Sequence, residues 1–392
     1  MTFPTLTGDF YGFESGLPAD QLAALLDLRT FLEAEVGPII DDFWERAEFP
    51  HHLLPALHRQ PVFGMQWDET RTFENSALYR GWVSLELGRV DANIGTYVGV
   101  QNGLAMGAIG VCGSTEQRAE WLPKLATGEV IGAFGLTEPL SGSDSAQGLR
   151  TVARREGDEW VIDGAKRWIG NATFSDITIV WAKDADDGQV KGFIVPTSTP
   201  GYSATKIEGK IALRVVQNAD IKLEGVRVPE SLRLANANSF RDTAAVLRLT
   251  RAEVAWAAVG VAVGAYEAAV RYATEREQFG KKIAEHQLIQ NHLSNILGNI
   301  TASIAMCTRV SQMQDEGTPR DEHAALAKAY ATARMRESVA WAREAMGGNG
   351  IVLEYGAARH FADAEALYSY EGTREMNALI VGRAITGKAA FV

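Results

Sequence analysis

Four segments of this 392-residue chain carry side chains whose types and spacing could do chemistry. The first is Phe134-Gly135-Leu136-Thr137-Glu138-Pro139-Leu140-Ser141-Gly142-Ser143-Asp144. A loop this dense in glycine and hydroxyl groups can bring backbone N–H groups close to a planar heterocycle or a phosphate. It can also be an ordinary turn whose Ser and Asp side chains satisfy their own backbone. The second is Lys166-Arg167-Trp168-Ile169-Gly170-Asn171. A strand ending in Trp before Gly-Asn can present one aromatic face to a flavin-like ring, although a lone Trp on a strand is more often core. The third is Arg276-Glu277-Gln278-Phe279-Gly280, followed by Gln287. It puts a guanidinium, a bidentate phosphate ligand, and a Phe near the end of a helix. The plainer reading is a solvated Arg and a helix C-cap at Gly280. The fourth is Tyr368-Ser369-Tyr370-Glu371-Gly372-Thr373. Thr373 can cap a final helix, with Glu371 just outside its positive end. Glu371 there either complements the helix dipole or serves as a base in an apolar pocket.

These segments need elements to hold them. Leu22, Leu25, Leu26, Leu32 and Val36 recur at helical spacing before Gly37-Pro38,. A second helical block covers about Ser76 to Gly107, and its small residues predict close packing. From Glu129 to about Pro229 short β-prone runs alternate with turn signals. Glu159-Trp160-Val161-Ile162 precedes Asp163-Gly164, Ile177–Trp181 precedes Asp186-Asp187-Gly188, and Phe193-Ile194-Val195 precedes Pro196. Asp-Gly between apolar runs is a hairpin or turn signal. Helix returns from Thr243 to Gln314, breaks at Gly317-Thr318-Pro319, resumes from Arg320 to Met346, and ends with a helix from Thr373 to about Ile385. The expected fold class is therefore α+β: an N-terminal helical domain over 1–128, an antiparallel β domain over 129–238, and a C-terminal helical bundle over 239–392.

Composition narrows the function classes. The chain is 46% hydrophobic, enough for a large core,. A net charge of -11 and a pI near 5.3 leave no global basic footprint for nucleic acid or an anionic membrane,. Two cysteines, Cys112 and Cys307, form no disulfide framework and have no metal-ligand spacing, which fits a reducing cytosol,. The opening MTFPTLTGDF lacks the basic and apolar regions of a secretory signal. An unbroken run of ~18 apolar residues is absent, so no membrane span is expected. Phe391-Val392 at the end does not complete a peroxisomal signal.

Taken together, in this order and at this spacing, the four segments resemble those of the acyl-CoA dehydrogenase family, over about Asp20 to Phe391. Within it, Phe134–Asp144, Ala345–Gly350 and Gly382–Gly387 resemble glutaryl-CoA dehydrogenases. Lys166–Asn171, Leu213–Asn218 and Asn238–Thr243 resemble the plant short-chain acyl-CoA oxidase. The resemblance implies bound FAD, met by Phe134, Leu136, Thr137, Gly142, Ser143, Trp168, Ile169 and Thr373. It implies further contacts from Arg276, Phe279, Gln287, Glu344 and Gly348, with Arg276, Phe279 and Gly348 reaching the FAD of a neighbouring subunit. The assembly it implies is a homotetramer, a dimer of dimers. Ser143, Arg251, Tyr370 and Gly372 would meet the acyl-CoA substrate, and Glu371 would be the base. The backbone N–H of Glu371 and a ribityl hydroxyl of FAD would polarise the thioester.

Three departures from the family pattern stand out. Gly95 occupies the place of the Arg that holds the distal carboxylate in glutaryl-CoA dehydrogenases, and Gly88 the place of its supporting Glu. A buried carboxylate without a cationic partner costs roughly 3–5 kcal/mol, so glutaryl-CoA is disfavoured. Gly170 replaces a Thr or Ser after Trp-Ile, and Glu344 replaces a Gln. The expected activity is α,β-dehydrogenation of a short acyl-CoA, with electrons passed to an electron-transferring flavoprotein. Alternatives are an oxidase using oxygen, a glutaryl-CoA dehydrogenase type, and a non-redox CoA-ester binding protein. A cytoplasmic location is expected.

Overall fold

The structure, a computed structural model, describes residues 6–390. Phe391 and Val392 at the C-terminus, and the first five residues of the opening stretch, lie outside the described residues. The N-terminal third is helical: α1 (Ala19–Phe31), α2 (Ile40–Arg46), α3 (Leu54–Leu57), α4 (Ala77–Val90), α5 (Ala92–Val98), α6 (Gly107–Cys112) and α7 (Thr115–Thr127). Ser76 caps α4 by accepting a hydrogen bond from the Tyr79 N–H, and Asp91 caps α5 by accepting from Ile94,. A π-helical turn, Gly99–Met106, joins α5 to α6.

Seven strands follow: β1 (Gly132–Gly135), β2 (Val152–Glu156), β3 (Glu159–Ile169), β4 (Ile177–Asp184), β5 (Val190–Pro196), β6 (Tyr202–Lys206) and β7 (Ala219–Pro229). Their path is β1-β4-β2-β3-β7-β6, with β5 on the other side of β4. The sheet is mostly antiparallel. Two pairings, β1 with β4 and β2 with β4, are parallel, because β1 and β2 share one edge of β4 end to end. The hairpin expected at Asp186-Asp187-Gly188 is present between β4 and β5. The Asp163-Gly164 signal marks something else. β3 runs straight through it, with a register shift between Ile162 and Gly164 against β7. Gly164 is in place there because a Cβ would collide with Thr151, and Asp163 accepts from the Gly225 N–H at 2.7 Å,.

The remainder is helical: α8 (Phe240–Glu275), α9 (Gln287–Asp315), α10 (Asp321–Ala345), α11 (Ala357–Ser369) and α12 (Arg374–Thr386). The single helix expected over 243–314 is two. Between α8 and α9 lies a tight hairpin of β8 (Glu277–Gln278) and β9 (Lys281–Lys282). Its turn residues, Phe279 and Gly280, both have positive φ, at 55° and 77°, the geometry of a two-residue type I′ turn. A Phe at the first turn position gives no sequence warning, because Asn or Asp is the usual signal.

α8 is long and apolar enough to span a bilayer by composition, though Arg251, Glu253 and Glu267 interrupt the run. Most of its apolar stretch is buried within the protein. Glycine makes that burial tight. A Cβ on Gly81 would enter the Trp256 ring, one on Gly88 would meet the Ala257 carbonyl oxygen, and one on Gly260 would meet the Leu85 carbonyl oxygen. The small residues of the second helical block thus do what their composition predicts: α4 and α8 touch backbone to backbone. Leu25, Leu28, Trp82, Leu85 and Val263 fill the surrounding core.

Candidate active site

α11 ends at Ser369, and the Tyr370 N–H closes it on the Ala366 carbonyl. The chain then turns through Glu371 and Gly372 with φ of 54° and 80°. Thr373 caps α12 by accepting from the Met376 N–H at 3.2 Å. A left-handed Glu is sterically unfavourable by roughly 1–2 kcal/mol, so this turn is held by its surroundings. The Glu371 carboxylate accepts a hydrogen bond from Thr250 Oγ1, on α8, at 2.8 Å. Burial raises its pKa above the ordinary carboxyl range, against the opposing effects of the Thr250 hydroxyl and the Lys328 and Arg251 charges. Arg251, half-buried beside Thr250, has its pKa lowered by burial, with Asp321 and Glu371 acting the other way. Tyr370 is half-buried, and its phenol is pushed up by burial. Glu371, Arg251, Tyr370 and Gly372 therefore gather at one place, and Thr250, Lys328 and Glu253 join them unannounced by sequence.

Glu253 is one helical turn beyond Thr250, on the same face of α8. Among the described residues it has no hydrogen-bond or ion-pair partner. Burial pushes its carboxyl up to about 7, the Arg80 charge opposes this, and the Glu371 charge adds to it. A Cβ on Gly103, in the π turn, would stand 2.8 Å from Thr250 Cγ2 and 3.3 Å from Glu253 Oε2. Gly99, one turn earlier, has open space where a Cβ would be.

The β domain supplies a second surface. Trp168 is 51% exposed, with φ of 65°. The register shift between Lys166 and Ile169 turns it out of the sheet while Ile169 stays buried, a common use of a bulge. The Arg167 guanidinium lies over its ring at 5.1 Å and pairs with Asp220. The Arg167 N–H donates to the Thr137 carbonyl at 2.8 Å, which ties the glycine-rich loop to the same strand. In that loop Gly142 and Ser143 are exposed and Thr137 half-buried. Phe134 and Leu136 point into the core, Phe134 against Trp181, so they could meet a ligand through backbone only. Glu138 is structural. Its oxygens accept from Lys166 Nζ at 2.8 Å, from the Thr151 N–H and hydroxyl, and from the Arg150 N–H.

The third surface lies beyond the α8 end. A cavity of about 410 Å³ is lined by Arg276, Phe279, Met346 and Gly348 among others. Arg276 follows the last helical residue, so it is not on the helix as the sequence suggested. Phe279, at the hairpin tip, is 95% exposed. Gln287 and Glu344 are exposed and lie outside this lining; Glu344 Oε1 faces His292 Nε2 at 3.9 Å. The expected group is thus split: Arg276, Phe279 and Gly348 are together, Gln287 and Glu344 to one side.

The chain matches three family models in succession: the acyl-CoA dehydrogenase N-terminal domain over residues 18–129, the middle domain over 133–226 and the C-terminal domain over 240–386. It is 32% identical over 362 residues to the probable acyl-CoA dehydrogenase YngJ of Bacillus subtilis, covering 91% of this chain and 95% of that protein. It is 32% identical over 375 residues to the human mitochondrial short-chain specific acyl-CoA dehydrogenase, covering 93% and 90%. The crystal structure of a glutaryl-CoA dehydrogenase from Mycobacterium smegmatis in complex with FADH2 superposes with a TM-score of 0.95 at 34% identity, covering 99% of this chain and all of that one. With a helical, a β and a helical domain in the same order, and all three models matched, the chain belongs to the acyl-CoA dehydrogenase family.

Proposed function

We propose that this flavoenzyme converts a short, neutral acyl-CoA to the trans-2-enoyl-CoA, with Glu371 as the base. The observation that carries this reading is the Glu371 carboxylate itself. It is half-buried, raised in pKa by burial and oriented by Thr250. A carboxylate so raised approaches the acidity of an activated α-C–H, as a general base requires. It takes the proton from Cα. Negative charge then develops on the thioester oxygen, where the backbone N–H of Glu371, with no acceptor among the described residues, is a donor,.

FAD is the cofactor of this enzyme, and when bound it accepts the hydride from Cβ. The residues present fit it. Trp168 offers an exposed aromatic face, Gly142 and Ser143 offer backbone and hydroxyl donors, and Thr137 is tied to the Trp168 strand through the Arg167 N–H. Arg276, Phe279 and Gly348 are the residues for the FAD of a neighbouring subunit. A Phe ring that is 95% exposed at the tip of a two-residue hairpin needs a cover,. This supports assembly as a dimer of dimers.

A neutral acyl group is favoured over glutaryl for two reasons. Gly95 provides no cation, and Gly88 cannot be replaced by a supporting Glu without displacing the α8 backbone at Ala257. Glu253, with no hydrogen-bond or ion-pair partner among the described residues, would add a second acid to the same neighbourhood,. Electrons would leave through an electron-transferring flavoprotein, and the acidic, cysteine-poor composition suits a cytoplasmic enzyme. The test is anaerobic bleaching of the flavin by a panel of C4 to C16, branched and dicarboxylic acyl-CoAs. Reduction fastest with C4 to C6 substrates is expected. Efficient conversion of glutaryl-CoA to crotonyl-CoA and carbon dioxide would overturn the substrate assignment, and oxygen consumption at the full rate would overturn the acceptor.

A further inference from the structure

Lys328, on α10, is 1% exposed, and no carboxylate lies within ion-pair distance of it among the described residues. Its ammonium donates instead to three successive backbone carbonyls, those of Tyr370, Glu371 and Gly372, the middle one at 3.3 Å. An ammonium has three donors, and all three are committed to this turn. Burial lowers its pKa to about 8, against the favourable charge of Glu371. A lysine brought into the interior for backbone carbonyls alone needs a reason beyond charge pairing.

The reason lies across one peptide bond. The Tyr370 carbonyl and the Glu371 N–H belong to the same conjugated unit. The Tyr370 N–H is used by Ala366, but the Glu371 N–H has no acceptor among the described residues. A cation on the oxygen draws electron density from the nitrogen and makes the N–H a stronger donor, as linked hydrogen bonds do by roughly 10–30% each.

We propose that Lys328 is a positioning residue for the dehydrogenation: by holding the Tyr370 carbonyl it strengthens the Glu371 N–H as the donor to the thioester oxygen. The proposal rests on the function proposed above. The α-proton goes to the Glu371 carboxylate, the charge left behind is shared with the thioester oxygen, and the polarised N–H stabilises it there. Lys328 touches neither substrate nor cofactor.

The test uses the FAD holoenzyme and its Lys328→Met, Lys328→Gln and Lys328→Arg variants. The probe is 3-thiabutyryl-CoA, which can lose an α-proton but has sulfur at the β position and so cannot give up a hydride. Its ionised form is followed by long-wavelength absorption against the flavin. Lys328→Met and Lys328→Gln should raise the pH of half-ionisation by about one unit, a tenfold loss of acidity. Affinity for the neutral probe should stay within threefold, and kcat for butyryl-CoA should fall about 10–100-fold, less than loss of a whole oxyanion donor. Lys328→Arg should recover most of the acidity. An unchanged half-ionisation pH, or failure of all three variants to fold with FAD, would assign Lys328 to loop shape only and overturn the proposal. The titration needs no turnover. If wild-type flavin is never reduced by an acyl-CoA while the probe still ionises normally, the function is wrong and the role of Lys328 is judged separately.

Discussion

Glu253 gives the sharpest stability prediction. Its carboxyl rises from an ordinary 4.5 to about 7 on folding, mainly by burial. The folded protein therefore keeps this proton over a range where the unfolded chain has lost it. Between about pH 4.5 and 7 the folded state binds more protons, so the contribution of Glu253 to stability falls as pH rises, and it stays low above 7. At ~1.4 kcal/mol per pH unit, the ionised carboxylate costs up to about 3 kcal/mol at pH 8 and close to nothing at pH 4.5. Glu253→Gln removes the ionisation and keeps the shape. The FAD holoenzyme of this variant should melt at about the wild-type temperature at pH 5 and several degrees higher at pH 8. Chemical denaturation at the two pH values supplies the free energies. A variant with the same stability as wild type at pH 8, or less, would mean that Glu253 has a cationic partner in solution, with Arg80, whose charge opposes the rise, as that partner.

Four further outcomes are expected. Glu371→Gln should retain fold, FAD and ligand affinity, yet slow flavin reduction in stopped flow by at least the ~10²–10⁴-fold typical of a lost general base; reduction within threefold of wild type would place the base elsewhere. Glu138 is not the substitute, since it is tied to Lys166, Thr151 and Arg150. Gly260→Ala should destabilise by roughly 1–3 kcal/mol through overpacking, because its Cβ meets the backbone of Leu85,. Gly298→Ala, at an open helical position, should be neutral or stabilising by about 0.5–1 kcal/mol in the same denaturation series,. Phe279→Ala should leave the melting of a single subunit within about 0.5 kcal/mol but weaken flavin retention; unchanged flavin dissociation would contradict the cross-subunit role.

Much of this architecture is legible in the sequence because it rests on local signals. Leu25 and Leu32 keep helical spacing, Thr373 caps where expected, and Asp187-Gly188 turns the β4–β5 hairpin. The failures share a cause: side chains that stand in for the usual residue. Phe279 takes a turn position normally given to Asn or Asp, so the hairpin between α8 and α9 carries no turn signal beyond Gly280,. Asp163-Gly164 reads as a turn but is a bulge, because the demand for glycine comes from Thr151, just before β2. At the site, Glu371 is found through its motif and its cap. Thr250 and Lys328 are not, since they reach Glu371 over 121 and 43 residues of chain. No spacing rule spans such separations. Glu253 is invisible for a different reason: a single acid in an Ala-rich helix usually faces water.

The π turn over Gly99–Met106 has a rotational consequence. Gly95, Gly99, Gly103 and Gly107 recur every fourth residue, and on a regular α-helix each such step overshoots a full turn by about 40°. A row at that spacing would wind off its face within three steps. The wider π turn takes up the overshoot. Gly103 and Gly107 can therefore both look at α8, the one at Thr250 and the other at Leu249 and Val246. Phase, more than composition, keeps this wall smooth beside the base. Wound as ordinary helix with every residue kept, this stretch would carry each later position about 100° further round. That would carry Gly107 away from α8 without changing a single side chain in the wall.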